Sequence, residues 1–256
     1  MTLLEYTSQG AVFFAVSFIA AAVNSVAGGG TFLTFPVFIV NGLTATQANI
    51  MSTIALWPGV IASAYGYKSE MIGDIKQLRL FVVIGCLGGA AGALLFLHVP
   101  EFEFKRQVPW LMLAATLIFT FGRYVVAGLN RISLSARLRY VLAGLMLIVT
   151  AIYGGYFGAG IGILTLALLQ VLGHTHIHRM NALKTLLTGA INAVTMVIFL
   201  FSGKVIWWLA VVMVSGSLCG GYVGARTALK VPPHYVRLLV SVIGFSMTAY
   251  FFWHGV

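Results

Sequence analysis

Long apolar segments follow one another along this 256-residue chain, with short polar stretches between them. Such segments match the length of about 20 apolar residues that a helix needs to cross a bilayer. Only 8% of the residues are charged, whereas a soluble domain carries about 25%. The chain therefore cannot cover a water-facing surface, and we predict an all-α integral membrane protein of about ten helical segments. These segments are 10–27, 30–42, 44–66, 77–98, 107–127, 138–157, 160–173, 175–202, 204–229 and 235–254.

Two of the segments, 30–42 and 160–173, are too short to cross a hydrocarbon core of about 30 Å as straight helices. Each follows a glycine cluster, in NSVAGGGTFLTFP and in YGGYFGAGIGILT. Irregular backbone at membrane depth is tolerated only where it is buried in protein or lines a cavity. We therefore predict broken or re-entrant helices that bind a substrate, with tight helix packing through small residues as the alternative. The predicted binding residues at these breaks are Asn24, Gly28, Gly29, Gly30, Thr31, Gly158, Gly160 and Gly162.

The chain also repeats itself. Gly28 in the first half matches Gly158 in the second, and the sequence ANIMST matches MNALKT, so that Asn49 pairs with Asn181. The stretch LGGAAGALLFLHVP matches CGGYVGARTALKVP at the same shift along the chain as the Asn49–Asn181 pair. These landmarks occur in one order, which predicts two repeats of five segments each, 1–127 and 128–256, within one membrane domain.

The basic residues predict how the repeats are oriented. If all ten segments cross, 11 of the 15 Lys and Arg residues lie on one face and three on the other, with one inside a segment. Since basic residues concentrate on cytoplasmic loops, each repeat should cross an odd number of times. The second repeat is then inverted, and both termini face the periplasm of a bacterial inner membrane. A hairpin formed by the first two segments gives the same parity, and the oligomeric state stays open, with a homodimer as one option.

Polar residues recur on one helical face after each break, because spacings of three and four bring side chains together. Lys184 stands out, since an ionisable residue within a membrane segment marks a functional site by default. Snorkelling of its amino group to an interface is an equally weighted alternative. The predicted binding residues of this set are Asn49, Ser52, Thr53, Asn181, Lys184 and Thr185.

Acidic residues are missing from the predicted membrane segments. All five lie in predicted loops or tails: Glu5, Glu70, Asp74, Glu101 and Glu103. Cation pumps and many proton-coupled carriers need a carboxylate within the membrane, so an anionic substrate is favoured.

Nothing in the chain predicts an enzyme, a cofactor or a metal site. There is no nucleotide-binding loop or Ser-His-Asp pattern, and His174, His176 and His178 alternate, so they do not share a helical face. The net charge of +10 is attributed to cytoplasmic loops and not to nucleic-acid binding.

The stretch NSVAGGGTFLTFPVFIVNGLTATQANIMSTIALWPG, with a second copy beginning GGYFGAGIGILTLALLQVLG, resembles the sulfite exporter TauE/SafE family of bacterial membrane permeases. The resemblance covers nearly the whole chain. The second copy departs from the first, because Ala159 and Ile161 interrupt its glycine run and Leu166 stands where the first has Pro36. The resemblance implies transport of small anions, typically sulfur oxyanions or sulfonated and other organic acids.

These observations together predict a secondary transporter of small anions, sulfite or sulfonated and organic acid anions, by alternating access around a midplane site. Its partners are the substrate anion and the lipid bilayer. A passive anion channel is the first alternative, and a membrane-embedded enzyme is the second.

The predicted orientation can be tested with C-terminal fusions. Because the C-terminus should be periplasmic, alkaline phosphatase fused after residue 256 should be active and a green fluorescent protein fused there should be dark. Fusions after residue 130, in a predicted cytoplasmic loop, should behave in the opposite way. A fluorescent, phosphatase-negative C-terminus would contradict the orientation.

Overall fold

The computed structural model describes residues 3–67, 79–129, 135–174, 176–227 and 233–255. These residues form ten α-helices, as predicted: α1 Leu3–Ala27, α2 Thr31–Val40, α3 Ala45–Gly66, α4 Arg79–His98, α5 Glu101–Leu129, α6 Ala136–Tyr156, α7 Ile161–Val171, α8 Ile177–Leu200, α9 Trp207–Thr227 and α10 Pro233–His254. Within the described residues, six helices are long and apolar enough to cross a membrane. The chain is thus an all-α, multi-pass membrane protein.

Helices α2 and α7 are short, which confirms the prediction of short segments after the glycine clusters. They have 10 and 11 residues, which corresponds to about 15 Å at 1.5 Å per residue and to half of a hydrocarbon core of about 30 Å. Gly30 is the N-cap of α2 and Gly160 is the N-cap of α7. Both short helices therefore begin at a break, inside the protein.

The acidic residues are placed differently from the prediction. Helix α5 begins at Glu101, so Glu101 and Glu103 lie in its first turn, where the helix dipole favours negative charge. The Glu101 carboxylate accepts hydrogen bonds from the Thr44 hydroxyl and the Thr46 backbone N–H, each at 3.2 Å. The prediction of a loop is wrong for these two acids, and the Glu101 carboxylate joins the starts of α3 and α5. Glu5 lies in α1, while Glu70 and Asp74 lie outside the described residues.

Glycine faces bring helices of the two predicted repeats together. Three glycines of α9 are spaced one helical turn apart, and a Cβ added at any of them would collide with the backbone of α1. The α1 residues that they meet are also spaced one turn apart and follow in the same order. The two helices therefore run parallel and in close contact, as small residues permit in membranes. The glycines are Gly216, Gly220 and Gly224, and their neighbours on α1 are Phe14, Phe18 and Ala22.

Hydrogen bonds between the repeats are reciprocal. The Ser63 hydroxyl donates to the Gly221 carbonyl at 3.1 Å, and the Thr195 hydroxyl donates to the Gly89 carbonyl at 3.3 Å. Thr195 is the repeat counterpart of Ser63, and Gly221 is the repeat counterpart of Gly89, at the same shift that relates Asn49 to Asn181. The contacts therefore obey the spacing found in the sequence.

Helix neighbours follow the same rule. Helix α1 packs most extensively against α9, and α6 packs in the same way against α4. Helices α3 and α8, which contain the matching motifs ANIMST and MNALKT, pack against each other. Exchanging the first five helices for the last five thus reproduces the main contacts, while the inversion across a membrane stays a prediction.

Adding one methyl group at a glycine contact should destabilise the protein. In Gly221→Ala the new Cβ would collide with the Gly59 carbonyl, and overpacking of this kind costs about 1–3 kcal/mol. Gly144→Ala is the control, because a Cβ there has no neighbour within 4 Å and alanine favours a helix by about 0.5–1 kcal/mol. Thermal unfolding in detergent should show a lower midpoint for Gly221→Ala alone. Equal midpoints for the two variants would contradict the close contact.

Candidate functional site

The two glycine breaks meet inside the protein. A Cβ added to Gly28 would lie 2.6 Å from the Cα of Gly162, so the backbones are in direct contact at this point. Gly28 has φ +80° and Gly160 has φ +77°, a left-handed conformation that is costly for residues with a Cβ. Helices α2 and α7 consequently begin close to one another.

A small cavity adjoins this contact. Its volume is about 30 Å³, whereas one water needs about 10–15 Å³. The end of α1, the starts of α2 and α7, and the middle of α3 and α8 form its wall. The lining residues are Asn24, Ser25, Gly28, Thr31, Ser52, Thr53, Leu56, Val60, Ser63, Gly158, Ile161, Gly162, Lys184, Thr185, Thr188 and Asn192.

Most of the residues predicted from the sequence to bind a substrate are brought together at this cavity. Those that line it are Asn24, Gly28, Thr31, Ser52, Thr53, Gly158, Gly162, Lys184 and Thr185. Their convergence joins residues from both halves of the chain. The predicted role in binding remains a prediction.

Five predicted residues lie outside the cavity wall. Gly30 and Gly160 are the N-caps of α2 and α7, and Gly29 has Phe119 and Val240 as neighbours. Asn49 and Asn181 are buried, with 1% and 4% of their surface exposed. These residues shape the breaks or sit beside the cavity.

Several lining residues were not predicted: Ser25, Leu56, Val60, Ser63, Ile161, Thr188 and Asn192. The signal for most of them was present in the helical spacing. Positions 52, 56, 60 and 63 on α3 and 184, 188 and 192 on α8 recur at intervals of three or four, so each set shares a face. Extending the motif along its helix would have found them.

The Lys184 ammonium is the main charged group of the cavity wall. The side chain is 2% exposed, and Nζ donates to the carbonyl oxygens of Asn24 at 3.2 Å and Ser25 at 3.0 Å. Both carbonyls lie in the last turn of α1, where the helix dipole favours a cation. An ammonium has three donors, so one remains available to a molecule in the cavity.

No described acidic side chain lines the cavity with Lys184. The carboxylates of Glu101 and Glu103 lie at the start of α5, and neither belongs to the wall. In the part of the chain that the structure describes, the cavity is therefore electropositive.

Three of the four threonine hydroxyls of the wall are engaged within their own helices. Thr185 donates to the Asn181 carbonyl at 2.7 Å, and Thr188 donates to the Lys184 carbonyl at 2.8 Å. Thr53 donates to the Asn49 carbonyl at 3.2 Å. A ligand would meet these hydroxyls as polar oxygens that must rotate before they can donate to it.

The fold defines a polytopic helical membrane protein with a buried polar cavity. The sulfite exporter TauE/SafE family matches residues 13–251, and the chain belongs to this family. No solved structure gives a significant match.

Relatives of similar length support this assignment. The chain is 27% identical over 241 residues to a probable membrane transporter protein of Haemophilus influenzae, covering 93% of this chain and 92% of the relative. It is 25% identical over 240 residues to the probable membrane transporter protein YfcA of Escherichia coli K12, covering 93% and 87%. A probable membrane transporter protein, ORF9, of Sinorhizobium sp is 24% identical over 238 residues, covering 93% and 90%.

Replacing Gly28, where the two breaks meet, should destabilise the protein more than replacing Gly42, which also has a positive φ but has open space around it. Gly42 has φ +90° and no neighbour within 4 Å of an added Cβ, so Gly42→Ala should cost the left-handed strain of about 1–2 kcal/mol. Gly28→Ala adds a collision with Gly162 and should cost about 2–5 kcal/mol. Thermal unfolding in detergent measures both, and similar losses would show that the breaks do not touch.

Proposed function

We propose that this protein is a secondary transporter of small anions and that the cavity between the two breaks is its substrate site. The observation that carries the proposal is the Lys184 ammonium, which faces the cavity with backbone carbonyls as its hydrogen-bond partners. A buried charge is stabilised by a counter-ion. An anion in the cavity would supply it, using the remaining Lys184 donor.

The starts of α2 and α7 also favour a negatively charged substrate. Thr31 and Gly162, in the first turns of these helices, line the cavity. Some first-turn N–H groups donate to residues of the breaks, as Leu33 does to Gly30 and Ile163 to Gly160, each at 3.0 Å. The helix N-termini nevertheless bear partial positive charge that attracts anions. Broken helices that direct such ends at an anionic group occur in transporters.

The size of the cavity supports a small substrate. A volume of about 30 Å³ leaves room for only about two water molecules, so the state described here suits a compact anion. The family is described as a sulfite exporter family. We therefore propose sulfite or a small sulfonated or organic acid anion as the substrate class.

The repeat supports alternating access. Reciprocal contacts join the repeats, and inverted repeats with a midplane site are a common architecture of carriers. We propose that residues 1–127 and 128–256 are inverted with respect to each other in a bacterial inner membrane. Both termini are then periplasmic.

Anion binding by the purified protein tests the site. Sulfite, sulfoacetate and acetate should raise the thermal unfolding midpoint. In Lys184→Gln the half-saturating anion concentration should increase about 10- to 150-fold, the loss of affinity expected for one hydrogen bond to a charged group. Lys204→Gln removes the same charge from an exposed position before α9 and should bind like the wild type. Unchanged affinity in Lys184→Gln would return Lys184 to a structural role at the end of α1.

Flux through proteoliposomes separates a carrier from the alternatives. A carrier should accumulate labelled anion against its gradient when a coupling ion is supplied. Flux that only dissipates a gradient would favour an anion channel, and failure of every tested anion to bind or move would overturn the proposal.

A further inference from the structure

At one position of the cavity wall the two repeats differ in charge. Lys184 occupies it in the second repeat, and its ammonium lies against the carbonyls at the end of α1. The matching residue of the first repeat is Ser52, on α3, and the helix that ends at the second break is α6. The carbonyl end of α1 therefore has a cationic side chain beside it, whereas the matching residue of the first repeat, Ser52, offers no cation to the end of α6.

Asn49 contacts the end of α6 through its amide. Its Nδ2 donates to the Tyr156 carbonyl at 2.9 Å, and Tyr156 is the last residue of α6. A carbonyl accepts only from a donor, so this bond fixes the orientation of the amide. The other amide atom is therefore Oδ1, an acceptor that is buried and has no hydrogen-bond partner.

Ser52 lies one helical turn after Asn49, on the same face of α3. Its Oγ is also buried without a hydrogen-bond partner, and the residue is 1% exposed and lines the cavity. Two unpartnered oxygens thus lie on one face of α3, and the Asn49 amide contacts the carbonyl end of α6. An unsatisfied buried acceptor is costly, and an anion would not relieve it.

The break after α6 leaves further oxygen atoms available. The N–H groups of Phe157 and Gly158 both donate to the Tyr153 carbonyl, at 2.9 and 3.2 Å. The carbonyls of the last helical turn have no partner within the helix. The helix dipole also places partial negative charge there.

We propose that Asn49 Oδ1, Ser52 Oγ and the carbonyl end of α6 bind a sodium ion. Hard, neutral oxygen ligands suit a monovalent alkali cation, and helix C-terminal ends coordinate Na⁺ in broken-helix transporters. A divalent ion fits poorly, because no described carboxylate lines the cavity to offset its burial. The bound ion takes the place that the Lys184 ammonium has at the end of α1.

The role of the ion rests on the proposed anion transport. With Lys184, a sodium ion beside the cavity offsets the charge of the substrate and couples its movement to the sodium gradient. The Ser52 hydroxyl borders both positions, because its lone pairs can face the cation while its hydrogen points at the anion.

Thermal unfolding without substrate tests the ion site separately from transport. The purified protein is titrated with sodium, potassium or choline chloride at constant total salt. Sodium alone should raise the unfolding midpoint in a saturable way. Ser52→Ala should increase the half-saturating sodium concentration at least about tenfold, the loss of one oxygen ligand to a charge.

Two further variants complete the design. Ser17 is also fully buried, and its hydroxyl is also unpartnered, but it does not line the cavity, so Ser17→Ala should respond to sodium like the wild type. Ser52→Cys keeps nearly the same shape without a hard oxygen ligand, so it should lose the response even if Ser52→Ala does not fold.

The outcomes are distinct. Equal midpoints in sodium, potassium and choline, or a full sodium response in a folded Ser52 variant, would overturn the ion site. Sodium stabilisation with no movement of any anion would keep the ion site and overturn the proposed transport.

Discussion

Backbone polar groups in a membrane need partners, and this constraint governs the structure around Gly28 and Gly162. A break in a helix frees N–H and C=O groups that lipid cannot satisfy. Here the breaks of the two repeats are pressed together, with a Gly28 Cβ position only 2.6 Å from the Gly162 Cα. Each break is therefore shielded from lipid by the other, and residues of both breaks line one small cavity. Everything that makes this region a candidate site follows from that mutual burial.

The two repeats contribute unequally to the cavity. At matching positions of the repeats, α3 supplies Leu56 and Val60 where α8 supplies Thr188 and Asn192. Lys184 likewise stands opposite Ser52. Polar and charged side chains are thus concentrated on α8, while α3 provides a more apolar wall. An approximately symmetric framework can hold an asymmetric ligand in one orientation for this reason.

Much of the fold was predictable because it depends on regular patterns. Segment length and glycine clusters located the ten helices, including the two short ones, since apolar length and helix breaks are local properties. Glu101 was assigned to a loop because its charge was read as a solvent signal, whereas its carboxylate in fact binds the start of α3. Asn192 was missed because it lies three helical turns beyond Asn181, where the motif began. The partners of Lys184 could not be predicted, because they are backbone carbonyls in the other half of the chain.

The pairing of α1 with α9 and of α6 with α4 has a consequence for mechanics. Each helix that leads into a break is held along its length by a glycine-bearing helix from the other half of the chain. The bodies able to move as units are therefore not the two halves of the sequence but interlocked groups, each containing helices from both. A conformational cycle that separated residues 1–127 from 128–256 would have to open the close backbone contacts of α1 with α9 and of α4 with α6. Motion is therefore expected to run along other boundaries.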